Sequence, residues 1–181
     1  YDGDSMGEVF ENGPGGAALV DVLLMTPSTP DVLSRWQKSM TTLRQVNELL
    51  GAATGQTAAA ENARKTAYFC RAVIYFDMAV RWGKAPILRT TTSDEIPLSN
   101  EAEVWDFVIE NLNEALKNKG TSSGFFCVTD DAVNALLAKT YLWMKKPTEA
   151  ASYADKVISS SAYALAETSE DLATTWCFGT S

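Results

Sequence analysis

Histidine is absent from this 181-residue sequence, and cysteine, basic charge and long apolar runs are scarce. Without histidine, the chain lacks the side chain that enzymes use most often as a general base near neutral pH. Its 3 cysteines stand at unrelated spacings without a CxxC pair, so they predict neither a disulfide framework nor a metal site. No apolar run approaches the roughly 20 residues that a membrane-spanning helix needs.

The charge balance is acidic, with 15 Lys and Arg against 23 Asp and Glu and a formal net charge of −8. No basic stripe is present, which argues against a nucleic-acid partner held through its phosphates and favours a neutral ligand. A Gly-rich phosphate loop and a nucleophile elbow are also missing. The adjacent carboxylates Asp130 and Asp131 suit the start of a helix better than acid–base catalysis. We therefore expect no enzyme, no cofactor and no metal.

The longest predicted helix runs from about Thr57 to Trp82. Gly83 can adopt the backbone that ends a helix, and Pro86 cannot continue one. The apolar arc of this helix is broad, which predicts neighbours on two of its sides. The arc consists of Phe69, Val73, Phe76 and Val80, with Cys70, Ile74 and Met78 beside them.

Four further helices are predicted by apolar periodicity and by their start signals. Asp31 is the predicted N-cap of the first, and Asn100 forms a predicted capping box with Glu103 at the start of the third. Thr129 begins the fourth, and Pro147 begins the fifth because proline suits the first helical position. The second and third helices, and the fourth and fifth, are expected to form antiparallel pairs.

These elements predict an all-α fold of tetratricopeptide-like antiparallel helix pairs, an α-α superhelix. Residues 1–181 are read as one helical domain. It has a loop-rich region at 1–30, a helical core at 31–160 and an irregular tail at 161–181. The repeat is degenerate, and an array of this kind usually needs about three units, so further contacts are expected to support the helices.

Several segments, in this order, resemble the helical part of the SusD/RagB family. The resemblance extends from about Trp36 to Leu165, and it is carried by the order and spacing of the segments together. The segments are Arg81-Trp82-Gly83-Lys84-Ala85-Pro86, Val104-Trp105-Asp106-Phe107-Val108-Ile109-Glu110-Asn111-Leu112, Ala135-Leu136-Leu137-Ala138-Lys139-Thr140-Tyr141-Leu142, Ala150-Ala151-Ser152-Tyr153-Ala154 and Tyr163-Ala164-Leu165.

The resemblance implies a non-catalytic, cell-surface protein that binds a glycan or another nutrient oligomer for uptake. Its partner would be a TonB-dependent transporter in the outer membrane. The full-length precursor would be lipid-anchored there, although the anchoring cysteine is not present in this chain. The family normally continues into a large C-terminal region, so the sequence is interpreted as a fragment. The alternative is a helical-repeat scaffold for protein–protein interaction that has no ligand site of its own.

Aromatic rings stack on the apolar faces of sugars, which makes the tryptophans candidates for ligand binding. Trp36, Trp82, Trp105 and Trp176 are therefore considered, each with core packing as the competing interpretation. In the family, sugar contacts of this half come from loops before the helix that contains Trp36, and the resemblance thereby selects Asp4 and Trp36.

The cysteines leave one question open. Cys70 is expected to be a buried thiol on the apolar arc, because free cysteine behaves as a small hydrophobe. Whether Cys127 and Cys177 pair is not decided by their spacing.

Overall fold

A computed structural model of the chain describes residues 30–92, 94–120, 127–160, 162, 163, 165, 167 and 168. Within these residues the chain forms helices and one very short pair of strands, which confirms the all-α prediction. In chain order the elements are α1 (Pro30–Ala52), α2 (Ala58–Trp82), β1 (Ala85–Pro86), β2 (Leu98–Ser99), α3 (Glu101–Lys117), α4 (Asp130–Trp143) and α5 (Pro147–Ser159).

The predicted helix ends are mostly confirmed, because they depend on local hydrogen bonds. The Thr57 hydroxyl accepts from the Ala60 N–H at the start of α2. Asn100 and Glu103 form the expected capping box at the start of α3. Gly83 ends α2 with a positive φ of 69°. One prediction was wrong: α1 begins at Pro30, so Asp31 lies inside its first turn and is not the N-cap.

The helices stack in chain order, and neighbours run antiparallel. Early in α2, the Arg64 guanidinium donates to the carbonyl oxygen of Ala53, which follows α1, and to Asn118, which follows α3. At the opposite end, Trp82 of α2 meets Trp36 of α1. The predicted position of α2 between two neighbours is therefore confirmed.

The second predicted pair, α4 with α5, is confirmed by a stack of two tyrosine rings. Tyr141 and Tyr153 lie with ring centroids 5.5 Å apart and ring planes 10° apart. The α4–α5 turn is short, so the two helices fold back on each other.

The main core lies between α1, α2, α3 and α4, and it corrects the predicted arc of α2. Val73 and Val80 are 43% and 38% exposed, whereas the side chains of α2 that face the core lie on the neighbouring face of the helix. Alanines on that face let α1 and α3 approach closely, while the large rings at the edge stay half-buried. The buried apolar residues of α2 are Ala67, Ala72, Tyr75, Met78 and Ala79.

Cys70 lies near this edge. Its thiol is half-buried and less enclosed than predicted, and burial raises its pKa.

The connection between α2 and α3 is tied to the helices by buried polar groups. The Tyr75 hydroxyl donates to the Pro86 carbonyl oxygen at 2.9 Å and accepts from the Leu88 N–H at 2.8 Å. The Asn47 side chain donates to the Leu88 carbonyl oxygen at 3.1 Å. β1 and β2 pair antiparallel in the same connection, with Ala85 opposite Ser99. The connection is therefore held against the helices along its first half.

Arg71 links this connection to both neighbouring helices. Its guanidinium donates to Asn47 Oδ1 at 2.8 Å, to Asn111 Oδ1 at 2.6 Å and to the Arg89 carbonyl oxygen at 3.1 Å. The cation also lies 5.2 Å from the ring centroid of Phe107. Burial lowers the pKa of Arg71, but a guanidinium stays charged at neutral pH. The core thus contains a cation held by neutral acceptors and aromatic rings.

Candidate functional site: a tryptophan end of the helix stack

Four of the 5 tryptophans lie at one end of the helix stack. Trp36 is in the early part of α1 and Trp105 in the early part of α3, whereas Trp82 and Trp143 are the last residues of α2 and α4. Because neighbouring helices are antiparallel, these positions meet at the same end. We call Trp36, Trp82, Trp105 and Trp143 the tryptophan end.

Trp36 and Trp82 form the first half of this site. Their ring centroids are 5.1 Å apart and their planes are nearly perpendicular at 88°. Both residues are half-buried, so each ring keeps some surface in solvent. This arrangement can present an aromatic ring to an apolar sugar face.

A small cluster of charges lies on the same two helices. Asp77 accepts from Arg81 at 2.8 Å and lies 3.7 Å from a guanidinium nitrogen of Arg35, the residue before Trp36. Carboxylate and guanidinium groups beside an aromatic ring are the groups that satisfy sugar hydroxyls. The sequence prediction of Trp36 is consistent with this placement, although packing against Trp82 already uses part of the ring.

Trp105 and Trp143 form the second half, together with Phe76. Trp105 is only 5% exposed, and its indole N–H donates to Glu101 at 3.2 Å, so its first role is packing. Trp143 is 51% exposed and stacks on Trp105, with centroids 6.5 Å apart and planes 20° apart. The candidate list drawn from sequence missed Trp143. Its position at the end of a helix, before two lysines and a proline, was the available signal.

Three of the residues singled out from sequence lie outside the described part of the chain. They are Asp4, Trp176 and Cys177, the last of which belongs to the possible pair with Cys127. The predicted ligand contact of Asp4 therefore stays a prediction, and the pairing of the two cysteines stays an open question.

Asp130, the first of the two carboxylates at the start of α4, has a structural role. Asp130 forms an ion pair with the largely buried Lys65 at 2.5 Å, and Thr129 caps the helix. Among the described residues, no group of three or more His, Cys, Asp and Glu is placed to hold a metal ion. The described helices also include none that is long and apolar enough to cross a bilayer.

A cleft of about 340 Å³ lies at the opposite end of the stack. Its lining includes Lys65, Asn62 and Thr66 of α2, together with Gly120 and Cys127. The described lining contains no aromatic ring, and its lysine is already ion-paired. The tryptophan end is therefore the better candidate for sugar binding.

Comparison with known proteins finds SusD-like relatives. No protein-family model matches the chain. A SusD-like protein of Bacteroides ovatus is 29% identical, over 76% of this chain and 29% of the relative. The crystal structure of a SusD-like protein from Bacteroides fragilis is 26% identical and superposes with a TM-score of 0.69 over 78% of this chain and 30% of the other.

A further crystal structure, of a protein with a xylogluco-oligosaccharide, is 25% identical. It superposes with a TM-score of 0.78 over 89% of this chain and 36% of the other. The chain thus spans roughly a third of the length of these proteins.

Proposed function

This chain belongs to the SusD-like family, and from that premise we propose that it is the helical part of a non-catalytic protein that binds glycans for uptake. The glycan, or another nutrient oligomer, would be captured at the cell surface and passed to a TonB-dependent transporter in the outer membrane. The full-length precursor would be lipid-anchored in that membrane.

The observation that carries this proposal is the tryptophan end. Four indole rings gather where the ends of α1 to α4 meet, and two charged residues flank Asp77 beside Trp36. The related structure with a xylogluco-oligosaccharide indicates the kind of ligand to test first.

Binding would use stacking and hydrogen bonds without covalent chemistry. A pyranose ring stacked on the exposed part of Trp36 would bury apolar C–H surface, while Asp77, Arg35 and Arg81 lie on the same helices to accept from or donate to hydroxyls. The net charge of −8 favours a neutral sugar over an acidic one, because like charges repel.

One observation favours the alternative of a protein–protein scaffold. The outer face of α2 carries Val73 and Val80, both more than a third exposed, next to the half-buried Phe69 and Phe76. Apolar side chains grouped on one helix face are typical of a surface that another protein segment covers. A scaffold of this kind would bind a partner and no sugar.

Tryptophan fluorescence and calorimetric titration of the chain with neutral oligosaccharides would test the proposal. The panel contains xyloglucan, laminarin, starch and xylan fragments. We expect at least one to bind and expect Trp36→Ala to weaken its affinity at least tenfold. Leu33→Ala is the matched control, because Leu33 is an exposed apolar residue one turn earlier in α1. Absence of binding by every fragment would contradict the glycan proposal and leave the scaffold.

A further inference from the structure

We infer that Trp143 and the turn between α4 and α5 form a second stacking subsite, which takes one pyranose ring of a neutral oligosaccharide. The inference rests on the proposed function and adds a location to it. It assigns sugar contact to a residue that sequence reasoning passed over and that lies on a different helix from Trp36.

Trp143 is held in place although half of it is exposed. Trp105 stacks against one face of the indole, and the ring of Phe76 meets it nearly edge-on, at 87° and a centroid distance of 6.5 Å. Trp105 and Phe76 are themselves fixed by a T-shaped contact, with ring centroids 5.4 Å apart and planes 74° apart. With these contacts in place, Trp143 remains 51% exposed, so about half of its surface is open to a ligand. A rigid, partly exposed ring loses little entropy when a sugar stacks on it.

The turn that follows Trp143 has an unusual backbone conformation. The Lys146 N–H donates to the Tyr141 carbonyl oxygen at 2.9 Å, and the Lys145 N–H donates to the Leu142 carbonyl oxygen at 3.0 Å. These two bonds define a Schellman motif, whose left-handed position is usually glycine. Here that position is Lys145, with φ of 59°, the one non-glycine residue with positive φ in the described part of the chain.

A lysine at this position is strained where glycine would not be. Strained residues of this kind concentrate at functional sites, where the side chain is needed. Lys145 lies two residues after Trp143, and its exposed ammonium group offers three donors to sugar hydroxyls. The strain therefore points to a role for the lysine side chain beside the exposed ring.

Three lysines lie close to Trp143 in the chain, one on α4 and two in the turn that follows it. Lys139 lies one turn before Trp143 on α4. Its Nζ is 5.4 Å from the ring centroid of Phe76. Within the described residues Lys139, Lys145 and Lys146 form no ion pair, so their donors are not taken by carboxylates. The surface at Trp143 thus combines a stacking face with uncommitted donors, which matches a hydroxyl-rich ring better than an apolar peptide.

The test measures binding of the neutral oligosaccharide panel, with polygalacturonate added, by calorimetric titration of wild-type chain and variants. We expect Trp143→Ala to lower affinity for the neutral ligand at least tenfold and Trp143→Phe to lower it less. Leu142→Ala is the matched control, because Leu142 is the preceding residue and is 64% exposed. Its affinity should equal that of wild type. Circular dichroism confirms that each variant is folded.

Lys145→Gly separates a binding role from a structural one. We expect this variant to melt at a higher temperature than wild type and to bind the neutral ligand several-fold more weakly. A purely structural turn would give the higher melting temperature with unchanged affinity, and that result would overturn the role of Lys145.

The outcomes distinguish the subsite from the proposed function. If Trp143→Ala binds as wild type while Trp36→Ala does not, the second subsite is refuted and glycan binding stands. If Leu142→Ala loses as much affinity as Trp143→Ala, the effect belongs to packing of the turn and the subsite is refuted. Preference for polygalacturonate would refute a neutral ligand. If wild type binds no sugar, both the subsite and the proposed function fail.

Discussion

Replacement of Arg71 by methionine is expected to destabilise the chain by about 3 kcal/mol. Methionine keeps much of the arginine stem but removes the donors to Asn47 Oδ1 and Asn111 Oδ1. Asn47 is 4% exposed and Asn111 is fully buried, so water cannot replace the lost donors easily. A buried acceptor left without a partner costs about 1 to 3 kcal/mol, and a cost of about 1.5 kcal/mol for each of the two gives the stated sum.

A second substitution tests whether orphaned acceptors are the cause. In the double variant Arg71→Met with Asn111→Leu, one of the two acceptors is removed together with its donor. We expect the combined cost to be lower than the sum of the two single costs by about 1 to 2 kcal/mol, since directly bonded partners are not additive. Arg71→Lys keeps the charge and can donate to one of the two asparagine oxygens. Its free energy of unfolding should therefore lie between those of wild type and Arg71→Met.

These free energies are measured by urea unfolding, with circular dichroism as the signal. The slope of the unfolding free energy against urea concentration should be the same in all variants. Arg81→Met is the matched control, because Arg81 is an exposed arginine of the same helix that pairs with Asp77. Its cost should stay within about 0.5 kcal/mol, as exposed ion pairs contribute little. If Arg71→Met also stays within about 0.5 kcal/mol, or if the double variant is strictly additive, the role assigned to the buried cation is wrong.

Three further predictions concern single residues. Burial raises the pKa of Tyr75 to about 12, so the folded state holds its phenol proton more tightly than the unfolded state does. Stability should therefore fall as pH rises above about 10 toward 12, by up to about 2 to 3 kcal/mol, and urea unfolding of Tyr75→Phe over the same pH range should lack this loss. Asn100→Ala should cost about 1 kcal/mol through loss of the capping box, measured by thermal unfolding, and no change would contradict the capping role. Lys145→Gly should stabilise the chain by about 1 kcal/mol, and a lower melting temperature would show that φ of 59° is not strained there.

The sequence predicted most helix boundaries because these depend on a few neighbouring residues. Thr57, Asn100 and Thr129 each cap the N–H group three residues later, and Gly83 supplies the positive φ at the end of α2. Such signals act within one turn and need no knowledge of the rest of the chain. The order of the SusD-like segments likewise indicated the family before any packing was known.

The buried face of α2 could not be predicted in the same way. Apolar residues surround much of this helix, so periodicity alone favoured Val73 and Val80 as much as the true core residues Tyr75 and Met78. Which face is buried depends on where α1 and α3 lie. The burial of Arg71 has the same origin, because its acceptors Asn47 and Asn111 come from two other helices.

In the candidate site, too, the local features follow from the sequence and the packing follows from the tertiary structure. The sequence determined that the chain has tryptophans near helix ends and no histidine for acid–base chemistry, since composition and capping are local properties. Only the antiparallel stacking of α1 to α4 brought four of those tryptophans to one end, buried Trp105 and left half of Trp143 in solvent. Ring exposure depends on which helices are neighbours, and that is decided by contacts between residues far apart in the chain.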